Sequence, residues 1–124
     1  MKTTSYNGIT YHEINESTVR ALINGKVIEI EALPEEMDCA TYWHKETDCF
    51  DTLEAAQAFA DKSDNPFWFC VVRVSVEDPS RVTDSLEYRK EESYLGACNY
   101  KDGFDFLESG YFDGMLSECL EALK

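Results

Sequence analysis

Long apolar runs are missing from this chain. The longest, Phe67-Trp68-Phe69-Cys70-Val71-Val72, is six residues, against the roughly 20 that a membrane-spanning helix needs. The stretch Met1-Lys2-Thr3-Thr4-Ser5-Tyr6-Asn7-Gly8 carries no apolar signal region. These features read as a cytoplasmic protein with no membrane partner. Basic residues are scarce as well: 11 Lys and Arg stand against 25 Asp and Glu, a formal net charge of −14. A surface of that sign repels phosphate backbones and anionic lipid, which excludes direct nucleic-acid binding.

Recognisable catalytic patterns are absent too. The six glycines form neither G-x-G-x-x-G nor G-x-x-x-x-G-K-[ST], and no G-x-S-x-G elbow occurs. The two histidines, His12 and His44, limit the general bases available near neutral pH, and His12-Glu13 lacks the second histidine of a metalloprotease helix. Cys39, Cys49, Cys70, Cys98 and Cys119 are odd in number and contain no C-x-x-C, which fits reduced thiols better than a disulfide framework. Cys39, His44 and Cys49 follow a C-x4-H-x4-C spacing, but a structural zinc site needs four ligands at closer intervals. No metal or cofactor is expected.

The 124 residues, 44% of them hydrophobic, suit one domain over 1–124 and leave no room for a second core. No linker or repeat divides them. Asn7-Gly8 and Asn24-Gly25 are both the dipeptide that accepts the positive φ angles of a two-residue hairpin turn. Around the second, opposed residues have numbers summing to 49, so Val19 faces Ile30, Ala21 faces Ile28, and Arg20 faces Glu29. A slip of one residue would destroy that match, which favours a hairpin of 18–23 with 26–32 over a rival short helix at 15–23. Leu53, Ala56, Phe59 and Ala60 form an apolar stripe behind Asp51, predicting a helix at 52–62. Phe112, Met115, Leu116, Cys119, Leu120 and Leu123 predict another at 109–123, with Ser109 as its cap.

Strands are expected at 40–45, at 67–76 with Trp68, Cys70, Val72, Val74 and Val76 on one face, and at 93–100. Asp78-Pro79 reads as the start of a short helical turn. The elements add up to an α+β fold: a largely antiparallel sheet of about five strands, with the two main helices packed on one face. The aromatics of Tyr42-Trp43-His44 and Phe67-Trp68-Phe69 read first as core filling, and otherwise as a surface for self-association.

The negative charge is concentrated. Residues 29–54 hold nine acids against Lys45 alone, a net of −8, and residues 102–121 hold six acids and no base, a net of −6. Concentrated charge opposes folding by self-repulsion and so invites a functional reason. Carboxylates two apart on a strand, such as Glu29 and Glu31, project about 6.8 Å apart, close to the axial rise of two nucleotides along one DNA strand. The expected partner is therefore a basic protein, such as a nucleic-acid-binding or nuclease enzyme. The expected role is that of a small acidic inhibitor, of the kind found among phage anti-restriction and anti-CRISPR proteins and toxin-immunity proteins. The candidate contact residues are Glu29, Glu31, Glu35, Glu36, Asp38, Asp102, Asp105, Glu108 and Asp113, in two zones that folding would have to make adjacent. The competing expectation is a small enzyme with His12 or His44 beside a cysteine or carboxylate.

Overall fold

The computed structural model describes residues 2–124. Six strands run consecutively as an antiparallel meander in the order β1 (Thr3–Tyr6), β2 (Ile9–Asn15), β3 (Thr18–Ile23), β4 (Lys26–Leu33), β5 (Cys70–Val82) and β6 (Tyr88–Cys98). Both Asn-Gly dipeptides make two-residue turns with positive φ at each position: 51° and 77° at Asn7-Gly8, 49° and 79° at Asn24-Gly25. Such angles match the right-handed twist of the flanking strands. The second turn fixes the register read from the sequence, with Val19 opposite Ile30, Arg20 opposite Glu29 and Ala21 opposite Ile28. The rival helix at 15–23 does not form.

Alternation along these strands gives the sheet two unlike faces. One carries Val19, Ile28, Ile30, Val72, Val74 and Val76, all buried. Against it pack α3 (Gly103–Leu107) and α4 (Phe112–Ala122), which contribute Phe106, Leu107, Phe112, Met115 and Cys119. The apolar period at the end of the chain continues into buried Leu123. The guanidinium groups of Arg81 and Arg89 donate to the free carbonyls of Leu123 and Ala122, where cations offset the negative end of the helix dipole. α4 starts at Phe112 rather than 109, and Ser109 caps the turn before it by accepting from Tyr111 N at 3.1 Å.

Three further expectations are corrected. Residues 40–45 do not form a strand. Asp38 accepts hydrogen bonds from Thr41 N (3.0 Å) and Thr41 Oγ1 (2.8 Å) and starts α1 (Cys39–Thr41), which widens into a single turn over Tyr42–Glu46. This capping outweighs the strand propensity of the aromatic and β-branched residues, and β4 meanwhile pairs directly with β5. Asp78-Pro79 does not start a helix. β5 runs on to Val82 with a register irregularity, and Asp78 closes a local turn by accepting from Ser80 N and Oγ. Residues 66–68 form a short 3-10 turn under Asn65, so β5, next to the edge strand, begins at Cys70 rather than at 67.

α2 (Leu53–Ala60) is capped by Thr52 rather than Asp51. It packs on the α1 turn rather than on the sheet, so only Ala56 of its stripe is buried and Leu53 is exposed. Tyr42, Trp43, Phe50, Phe59, Trp68 and Phe69 form a second, half-buried aromatic cluster between these segments, with centroids 5.0–5.6 Å apart.

Gly103 joins the helical layer to the sheet. A Cβ built there would stand 2.5 Å from Val19 Cγ2 and 3.2 Å from the Phe67 ring, two fully buried neighbours. Gly103→Ala is expected to destabilise the fold by about 1–2 kcal/mol through overpacking. Urea denaturation measures this directly, with Gly114→Ala, whose Cβ meets nothing, as the control.

Candidate functional site

The uncovered face of the sheet carries a charge cluster centred on Arg73. Its Nη2 donates to Glu31 Oε1 at 2.9 Å and to Glu29 Oε1 at 3.3 Å, while Nη1 lies 3.4 Å from Glu92 Oε2. Arg20 Nε donates to the other oxygen of Glu29 at 2.7 Å. Burial disfavours the Arg73 cation, but the carboxylates of Glu31, Glu92 and Glu29 outweigh that effect and hold the guanidinium more firmly protonated than usual. Two carboxylates that strand geometry projects in parallel therefore converge on a shared cation. Glu29 and Glu31 are 16% and 26% exposed at their side chains, so little of either is offered outward.

The second stretch lies on the opposite side. α3 and α4 cover the apolar face of the sheet, so Asp102, Asp105, Glu108 and Asp113 sit in the helical layer. Folding thus places Glu29 and Glu31 on the face of the sheet opposite these four acids. Asp102 caps α3 by accepting from Asp105 N at 2.9 Å, and Asp105 accepts from Lys101 N at 3.0 Å. Asp113 accepts from the Tyr6 hydroxyl at 3.0 Å, tying β1 to α4, and this bond pushes the Tyr6 phenol up from its ordinary value. Glu108 is exposed and shares a shallow cleft with Tyr6, Lys101, Asp102 and Asp105. None of these four acids makes an ion pair among the described residues.

Glu35, Glu36 and Asp38 follow β4. Glu35 accepts from Ala97 N at 2.8 Å and from Glu36 N at 3.1 Å, clasping the end of β6. Asp38 is the cap described above, and its hydrogen bond from Thr41 N holds its carboxyl below the usual range. Glu36 is exposed.

No protein-family model, curated protein or solved structure matches the chain. Its chemistry must therefore be read from its own side chains.

His44 Nδ1 sits 3.0 Å from the Phe50 carbonyl, and His12 lies on the uncovered face opposite Arg20. Among the described residues neither is hydrogen-bonded to a thiol or a carboxylate, and no three His, Cys, Asp or Glu side chains group as metal ligands. No described helix is long and apolar enough to cross a membrane. No motif or charge run in the sequence marks Arg73 or Glu92 as part of this cluster. Their signal was the interruption of an apolar strand face at Arg73, which needed the neighbouring strands to be interpreted.

All five cysteines are free, and Cys70, Cys98 and Cys119 are buried. Burial pushes the Cys70 thiol up to about 12 and those of Cys98 and Cys119 up to about 11 from an ordinary 9.0, while burial also pushes Tyr11 up to about 12. In the native protein iodoacetamide is expected to label Cys49 readily and these three only after denaturation, as mass spectrometry would record. The unfolded thiols lose protons first, so stability is held below pH 9 and falls as pH rises from there towards 12. Flat stability across that window would contradict the burial.

Proposed function

We propose that this chain is a small acidic binding protein that engages and blocks a basic partner through its helical layer rather than through the uncovered face of its sheet. The observation that carries this reading is the uneven use of counter-charge. Glu29, Glu31 and Glu92 are gathered by Arg20 and Arg73, whereas Asp102, Asp105, Glu108 and Asp113 have no ion partner among the described residues. Hydrogen bonds from backbone amides and from Tyr6 hold three of these four in place. A preordered set of anions loses little conformational entropy on meeting a cationic surface. The partner class that fits is a protein with an arginine- and lysine-lined groove, such as a nucleic-acid-binding or nuclease enzyme. Inhibitors of restriction or CRISPR enzymes and toxin-immunity proteins are roles in which blocking such a groove would serve.

The test is capture of partners on the immobilised full chain at low and high salt, followed by association kinetics with the partner found. Association is expected to slow by about tenfold or more from low to high salt. Glu108→Lys with Glu118→Lys should lower the rate further at low salt, because both residues are exposed and make no hydrogen bond or ion pair among those described. A partner whose binding ignores both salt and these reversals would refute the reading.

A further inference from the structure

β6 ends the sheet, and nothing among the described residues extends the ladder beyond it. It is eleven residues long, whereas the other edge, β1, has four. An edge strand of that length presents a row of unpaired backbone donors and acceptors, which proteins ordinarily shorten, cover or charge. On its uncovered face β6 carries Tyr88, Lys90, Glu92 and Tyr94, all exposed. Tyr88 and Tyr94 are 52% and 57% exposed, which is unusual for two large side chains on one strand.

The order of these residues is self-complementary. In an antiparallel pairing of β6 with a second β6, facing residues share a face of the sheet only when their numbers have an even sum. For residues summing to 182, Lys90 meets Glu92 of the other copy twice, and Tyr88 meets Tyr94 twice. Pairing at 180 sets Lys90 against Lys90, and pairing at 184 sets Glu92 against Glu92. On the apolar side of the 182 register Glu91 meets its own copy at the two-fold axis. Each Glu91 is already held by Arg89 at 2.7 Å, and the Arg89 of the second copy becomes its diagonal neighbour. The like charges thus lie between two guanidinium groups.

We infer that a second copy of this chain adds to β6, antiparallel and in the 182 register, to make a two-fold dimer with a continuous twelve-stranded sheet. The charge order of the strand selects this occupant over a strand from an unrelated protein, because Lys90 and Glu92 exchange roles under the two-fold. A two-fold interface requires this kind of self-complementarity. The interface leaves the acidic helical surface of Asp102–Asp113 outside the contact, so it is independent of the partner proposed above.

Sedimentation equilibrium of the full chain from micromolar to millimolar concentration is expected to show the mass rising from 14.2 kDa towards twice that value. Lys90→Glu should shift the midpoint at least tenfold to higher concentration, since it sets acid against acid twice. Glu92→Lys should do the same by setting base against base. The exchange Lys90→Glu with Glu92→Lys should restore association towards wild type, because each copy again offers one base and one acid in the same register. Circular dichroism of each variant separates loss of association from loss of fold. A chain that stays monomeric throughout, a dimer indifferent to the single reversals, or one not rescued by the exchange would each overturn the inference. A strand donated by another protein would appear as the first of these.

Discussion

Phe112→Ala is expected to cost about 3–5 kcal/mol, a large part of the roughly 5–15 kcal/mol that holds a domain of this size folded. The ring is fully buried at the start of α4 and meets three other aromatic rings edge-on: Tyr11 at 5.8 Å, Tyr6 at 6.0 Å and Phe106 at 6.3 Å. Through them it joins β1, β2, α3 and α4, so a cavity there loosens the sheet and both helices that cover it. Collapse of the surroundings is restricted, because Tyr6 is tethered by its hydroxyl to Asp113. Urea denaturation at neutral pH gives the value. Tyr111→Ala, at an exposed neighbour, should change stability by no more than about 0.5 kcal/mol. A Phe112→Ala loss below about 1 kcal/mol would show that the ring is not central to the core.

Arg73→Ala comes next, with an expected loss of about 2–3 kcal/mol at neutral pH. Removing one partner of a buried ion cluster typically costs about 3–5 kcal/mol, and the Arg73 side chain is 20% exposed, so solvent screening lowers the figure. The variant leaves Glu29, Glu31 and Glu92 crowded on one face with Arg20 as the remaining cation in contact. Without the guanidinium these carboxylates repel one another across the folded sheet, and added salt screens both that repulsion and the ion pairs of the wild type, so the deficit against wild type should shrink as ionic strength rises. Denaturation of both proteins at low and high salt checks the sign. Equal deficits at the two salt concentrations would mean that Arg73 acts through the packing of its alkyl stem and not through charge.

Of these two residues, Phe112 is legible in the sequence and Arg73 is not. Phe112 was legible as a core residue because the i, i+3, i+4 period of the last helix is a local property, carried by residues within a few turns of one another. Arg73 was not, since its partners Glu29 and Glu31 are 44 and 42 positions away in the chain. The hairpin register already sets Glu29 against Arg20, but Glu31 has no partner in the sequence, and only the pairing of β4 with β5 shows that Arg73 holds both. Residues 40–45 are a different case. Their composition suits a strand, yet the Asp38 carboxylate accepts from Thr41 N and Oγ1 and starts a helical turn there, while β4 pairs on its two sides with β3 and β5.

What the amino-acid order fixed unaided is whatever depends on near neighbours. The two Asn-Gly turns, the register of β3 with β4, the apolar face of β5 and the amphipathic last helix all follow from steric preference at a turn or from a repeat of 2 or 3.6 residues. The tertiary structure alone decided which acids have cations and which do not. It placed Asp102–Asp113 in the helical layer and Glu29 with Glu31 on the other face, and it left β6 as an open edge. Electrostatic energy depends on distance in space, and distance in space between remote segments is set by strand order, which no local pattern encodes.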